Sequence, residues 1–103
     1  MAKVFELDDS SFTKEVKLSE KPIVLVEFYA EWQEESLAEN ILPELSDEFD
    51  YVKICRTDVD KAQKMAARYG VIKVPTYMVF RQGQIIGIQP GVQTKENLAN
   101  MIM

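Results

Sequence analysis

The sequence predicts an α/β three-layer sandwich, a mixed sheet with helices on both faces. Three observations carry this. Two uninterrupted β-branched and aromatic runs, at residues 23–29 and 51–57, lack the alternation of a half-exposed strand and read as buried members of a parallel sheet. Segments with helical periodicity separate them, as a parallel crossover requires. A hairpin and a last helical segment then follow, which adds antiparallel strands to the sheet.

In chain order, a short strand at residues 3–5 opens the fold. Asp8, Asp9, Ser10 and Ser11 offer N-caps for a short helix through Phe12 and Val16. The strand at 23–29 comes next. Leu37, Ile41, Leu45 and Phe49 recur about one turn apart on a longer helix, and Pro43 inside it, lacking an N–H, predicts a kink. After the strand at 51–57, Asp60 is the expected cap of a helix carrying Ala62, Met65, Ala66 and Tyr69 at helical spacing, with Gly70 ending it. Met78-Val79-Phe80 and Ile85-Ile86-Gly87-Ile88 flank Arg81-Gln82-Gly83-Gln84, a hairpin in which Gly83 supplies positive φ. Thr94 caps the closing helix, which buries Leu98, Met101 and Ile102.

Composition bounds the function. A chain of 103 residues fits one domain, residues 1–103, with no linker or repeat. Hydrophobic residues at 47% and charged residues at 28% are the balance of an ordinary soluble globular protein. The net charge of −5 disfavours a nucleic-acid partner and an anionic membrane surface. The longest apolar stretch, residues 22–26, is far too short to span a bilayer, and no secretory leader is visible at the start. A cytoplasmic location is expected, and a single unpaired cysteine, Cys55, agrees with a reducing compartment. There is no histidine, which closes Ser-His and Cys-His catalysis and removes the commonest zinc ligand. No metal or cofactor is expected.

The residues then resemble a known family. Val26-Glu27-Phe28-Tyr29-Ala30-Glu31-Trp32 is similar to the strand leading into the thioredoxin active site, and Tyr69-Gly70-Val71-Ile72-Lys73-Val74-Pro75-Thr76, with Phe80, Gly83 and Gly91 at matching intervals, resembles the second half of a thioredoxin. The resemblance covers nearly the whole chain and implies the thioredoxin-like form of the sandwich, with a cis peptide bond before Pro75. The departure lies where the chemistry should be. Thioredoxins follow the tryptophan with Cys-Gly-Pro-Cys, whereas Trp32 is followed here by Gln33-Glu34-Glu35-Ser36. Both sulfurs are missing, one the attacking thiolate and the other the resolving thiol. The catalytic dithiol is therefore absent, and dithiol–disulfide exchange within one molecule is excluded. Counting from Ser36, the family's kink proline falls on Ile41, while the proline present is Pro43.

Each candidate carries a structural and a functional reading. Glu27 matches the family's buried acid, and Arg56 falls where a lysine often lies near it. The favoured reading is a charge pair kept for structure, because an uncompensated buried charge costs several kcal/mol. Cys55, mid-strand, reads as a small buried hydrophobe rather than a redox thiol. Glu31, Glu34, Glu35 and Glu39 make an acidic rim. It is read first as helix-dipole complementarity, then as attraction for basic partners, and least as a cation site. Trp32, Val59, Ile72, Val74, Pro75, Gly91 and Val92 match the positions of the thioredoxin substrate groove, which in that family pairs with an extended peptide.

The reading drawn from the missing sulfurs is a redox-inactive module that binds a protein or extended peptide, basic in character, around Trp32 and Pro75. The alternative is a thioredoxin-type oxidoreductase, or redox-homeostasis protein, working through the single thiol of Cys55 or through an external thiol. A structural subunit using the same face as an oligomer interface is a third reading, the oligomeric state being open.

Overall fold

The computed structural model describes residues 3–32 and 38–103. Among the described residues nine elements follow one another: β1 (Val4–Leu7), α1 (Phe12–Lys17), β2 (Ile23–Tyr29), α2 (Ala38–Glu48), β3 (Val52–Asp58), α3 (Gln63–Arg68), β4 (Thr76–Arg81), β5 (Gln84–Pro90) and α4 (Lys95–Ile102). The strands form a single sheet in the order β1-β3-β2-β4-β5. β3 runs parallel to β1 and β2, while β4 is antiparallel to β2 and β5 antiparallel to β4. This is the mixed sheet that the sequence predicts.

The two faces bury different side chains. Alternate residues of β2 supply each face, since successive strand residues point to opposite sides. Ile23 and Leu25 join Leu42 and Leu45 of α2 and Leu98 and Ile102 of α4 on one side. Val24, Val26 and Phe28 join Phe12 and Val16 of α1 on the other, with Met65 and Tyr69 packed against them. Residues 23–28 are buried throughout, which is why β2 reads as a continuous apolar run rather than an alternating one.

Several local details differ from expectation. Pro43 does lie inside α2, but the fully buried residues are Leu42 and Leu45, whereas Ile41 is half-buried, Phe49 lies past the helix end, and Leu37 is outside the described residues. The contact stripe thus keeps Ile41, Leu45 and Phe49 against the core and widens to take in Leu42. Asp60 does not cap α3. Its own amide donates to Asp58 Oδ1 at 2.9 Å, while the α3 amides of Lys64 and Met65 donate to the Asp9 carboxylate at 3.2 and 3.0 Å. Ahead of α1, Asp8 and Ser11 hydrogen-bond reciprocally within the turn, while the N-cap Ser11 makes no side-chain capping bond to the helix. Asp8 Oδ1 accepts from the amides of Ser10 and Ser11, and Ser11 Oγ accepts from the amide of Asp8. That leaves the carboxylate of Asp8 below its usual range, chiefly through the Ser10 hydroxyl hydrogen bond. The last helix begins as the sequence predicts, with Thr94 Oγ1 accepting from the Asn97 amide at 3.0 Å.

The β4–β5 turn uses both central residues in the left-handed region, Gln82 at φ 52° and Gly83 at φ 80°. That is the backbone twist a two-residue hairpin favours.

Candidate functional site

The register of the sheet brings the predicted groove residues to one end. Tyr29, the last residue of β2, lies beside Asp58 at the end of β3, and Phe28 beside Thr76 at the start of β4. Trp32, Val59 and the Val74–Pro75 peptide therefore leave the sheet from the same edge. Thr76 is also opposite Pro90, and the Gly91 amide donates to the carbonyl of Pro75 at 2.7 Å, which ties the end of β5 to that segment. The Val59 amide donates to the carbonyl of Tyr29 at 2.8 Å.

The Val74–Pro75 peptide bond is cis. Gly91 sits at φ 89°, with the Lys73 side chain passing close over it. Around this frame the apolar side chains face outward: Trp32 is 68% exposed, Ile72 99% and Val92 43%. Val59 and Val74 are half-buried, and Pro75 is buried. Gln33, Glu34, Glu35 and Ser36 lie outside the described residues, as does the side chain of Glu39. Of the acidic rim, Glu31 is described; it pairs with Lys61 at 3.8 Å with both side chains 70% exposed, an arrangement worth little in water.

Beneath this end, one rung of the sheet is polar across four strands. Glu6, Arg56, Glu27 and Tyr77 are successive partners in register. Glu27, itself 1% exposed, accepts from Arg56 Nε at 2.7 Å through Oε1 and from the Tyr77 hydroxyl at 2.8 Å through Oε2. The buried carboxylate thus has a charge partner and a second donor, the condition under which a buried ion survives. The Arg56 guanidinium also stacks 3.9 Å from the Tyr29 ring centroid, and the Tyr29 hydroxyl donates to both Glu6 carboxylate oxygens at 3.0 Å. Burial first, then the neighbouring carboxylate, pushes the Tyr29 phenol up to about 12; burial and then the charge of Glu27 push that of Tyr77 upward too. Sequence reading found Glu27 and Arg56 but missed Tyr77, Tyr29 and Glu6, because their meeting depends on register.

Cys55 is fully buried in β3 within the α1/α3 side of the core. Burial pushes its thiol up to about 12, so almost no thiolate exists in the native state near neutral pH. Among the described residues no three acidic or thiol side chains gather as metal ligands, and no helix is long and apolar enough to cross a membrane.

The comparisons with known proteins agree on a lineage. The thioredoxin family model matches residues 3–103. A thioredoxin of Haemophilus influenzae is 36% identical, covering 99% of this chain and 96% of its own length. One from Bacillus subtilis is 32% identical, covering 96% and 94%. A solved mutant thioredoxin from Halobacterium salinarum superposes with a TM-score of 0.88 at 27% identity, covering 97% of this chain and 88% of its own. These relatives overturn the expectation of a redox-inactive binding module. That expectation rested on the missing sulfurs alone, whereas proteins named thioredoxin match almost end to end, and they favour the oxidoreductase alternative.

Proposed function

Because this chain belongs to the thioredoxin family, we propose that it serves thiol–disulfide exchange with the reacting thiols supplied from outside. The state of Cys55 carries this reading. Its burial and its thiol pushed up to about 12 leave the chain's sole sulfhydryl out of reach of a substrate disulfide.

The chemistry then balances without a protein sulfur. An external thiolate attacks one sulfur of a substrate disulfide, the S–S bond breaks, and the departing sulfur leaves as a thiolate that takes a proton. A second external thiol resolves the mixed disulfide, releasing the other substrate thiol. Two external thiols are oxidised to one disulfide, and one substrate disulfide is reduced. The protein's part is positional. An extended substrate segment lies against Trp32, Val59, Ile72, Val74, Pro75, Gly91 and Val92, presenting its disulfide to the incoming thiol, and the acidic residues around Trp32 favour substrates with basic segments. The cytoplasm, rich in small thiols, is the fitting compartment.

The test uses insulin as the disulfide and glutathione as the thiol. The protein is expected to raise the initial rate of reduction above that of glutathione alone. Cys55→Ala should keep that acceleration, and Trp32→Ala should cut it by about tenfold, the effect of losing one aromatic anchor worth about 1.4 kcal/mol. Acceleration that vanishes in Cys55→Ala reassigns the thiol to the chain. A wild-type rate equal to that of glutathione alone overturns the reading.

A further inference from the structure

A second concave site lies at the opposite end of the sheet, where β2 and β3 begin. β2 is seven residues long, so roughly 20 Å separates this site from the Trp32–Pro75 end. It is a cleft of about 480 Å³ between the end of α1 with the loop that follows it and the edge formed by β1 and β3. That volume falls in the range of about 300–1,000 Å³ that small-molecule sites occupy.

Its charge runs against the rest of the molecule. The chain carries a net −5, yet Lys3, Lys14, Lys21 and Lys53 all line this cleft, against Glu15 and Glu20. The lining therefore holds two positive charges in excess. The Lys53 ammonium and the Lys3 backbone are held in place. Lys53 Nζ donates to the Glu15 carbonyl at 3.3 Å and to its carboxylate at 3.0 Å. The backbone of Lys3 is clamped by Ser46, whose hydroxyl accepts from its amide and donates to its carbonyl, each at 3.0 Å. Both ammonium groups sit over the same ring, Lys53 Nζ 4.6 Å and Lys3 Nζ 5.1 Å from the Phe5 centroid. Two like charges drawn to one aromatic ring repel each other, and an anion nearby lowers that repulsion. Lys3, Lys14 and Lys21 have no carboxylate partner among the described residues. The remaining wall is mostly apolar, Phe5, Leu18, Val52 and Ile54 with Ser19 and Ser46 among them, and Leu18 is 74% exposed.

We propose that this cleft binds a small organic dianion, a phosphate monoester with a compact apolar body. The head group, carrying a charge of about −1.5 to −2 at neutral pH, matches the excess of two positive charges. Lysine is suited to it as a compact point charge with three rotatable donors. The apolar body covers Leu18 beside the half-buried Phe5, removing from water the surface that the free protein leaves exposed. The site is independent of the thiol–disulfide reading, shares none of its residues, and can fail or stand without it.

The experiment is an amide-resolved NMR titration of the ¹⁵N-labelled protein with phenyl phosphate, with inorganic phosphate and phenol titrated separately. Shifts are expected to cluster at Phe5, Lys14, Leu18 and Lys53, with phenyl phosphate binding at least about tenfold more tightly than inorganic phosphate, a difference of about 1.4 kcal/mol. The double variant Lys14→Gln, Lys21→Gln removes two exposed charges without touching the core, and should weaken phenyl phosphate by about fivefold or more while leaving the melting temperature in place. Raising the salt concentration should weaken wild-type binding. Three results overturn the proposal: shifts spread over lysines across the whole surface, equal affinity for inorganic and phenyl phosphate, or a double variant that binds as the wild type does.

Discussion

At the scale of the residue, Glu27 and Cys55 show how burial decides chemistry. Glu27 is tolerable inside the sheet because Arg56 and Tyr77 each take one of its oxygens. Replacing Arg56 with Met leaves that carboxylate buried without a cation, and urea titration should show a loss of about 3–5 kcal/mol. Tyr77→Phe deletes one donor and leaves the ion pair, so a smaller loss of about 1.5–3 kcal/mol is expected. A ranking in which Tyr77→Phe costs more would contradict the pairing described here. Cys55 makes a prediction in pH. Its thiol titrates near 9 when unhindered and near 12 in the fold. Between those values the unfolded chain has lost a proton that the folded chain retains. Stability from this group is therefore complete below pH 9 and falls as pH rises towards 12. Tyr29 and Tyr77, both shifted upward, push the same way from pH 10. Denaturant midpoints measured from pH 8 upward should decline, and Cys55→Ala should flatten the part of the slope that begins near pH 9. Iodoacetamide should label wild-type Cys55 at neutral pH only as fast as the protein opens.

At the scale of the element, what the sequence made legible was what neighbours in the chain decide. β2 was readable because six successive buried residues need no partner to announce them. The hairpin was readable from Gly83, whose φ of 80° a side chain resists and whose added Cβ would meet Lys17 Cγ at 3.2 Å. Gly83→Ala should accordingly cost about 1–2 kcal/mol in thermal or denaturant unfolding. The start of α4 was readable because Thr94 bonds to an amide three residues on. What was illegible depends on distant residues. Asp60 had the right type and place to cap α3, but the acceptor comes from Asp9, which no local pattern reveals. The polar rung through Tyr77 was hidden for the same reason, since register across β2 and β4 emerges only when the sheet closes. At the candidate site, the sequence pointed to Trp32, Pro75 and Gly91 through resemblance, and register explains why their segments lie at one end of the sheet. It misjudged function, because the missing sulfurs say which atoms are absent and nothing about which atoms another molecule can bring.

At the scale of the whole molecule, the sheet works as a spacer with a different chemistry at each end. The exit of β2 gathers exposed apolar groups, and the entry of β2 gathers lysines around a ring. A fold whose two ends are that distinct can be altered at one without loss at the other, provided its interior stays intact. The Asp9 carboxylate bears on that interior. It reaches 55 residues along the chain to take up the amide of Lys64, so the segment ahead of α1 is tied to the third helix by one side chain. Asp9→Ala should cost about 1 kcal/mol, and should speed hydrogen exchange at Lys64 and Met65 more than elsewhere. A proteolytic clip that removed the first nine residues would therefore act in the middle of the chain as well as at its start. Besides deleting β1, it would leave two backbone amides of a six-residue helix without their side-chain acceptor.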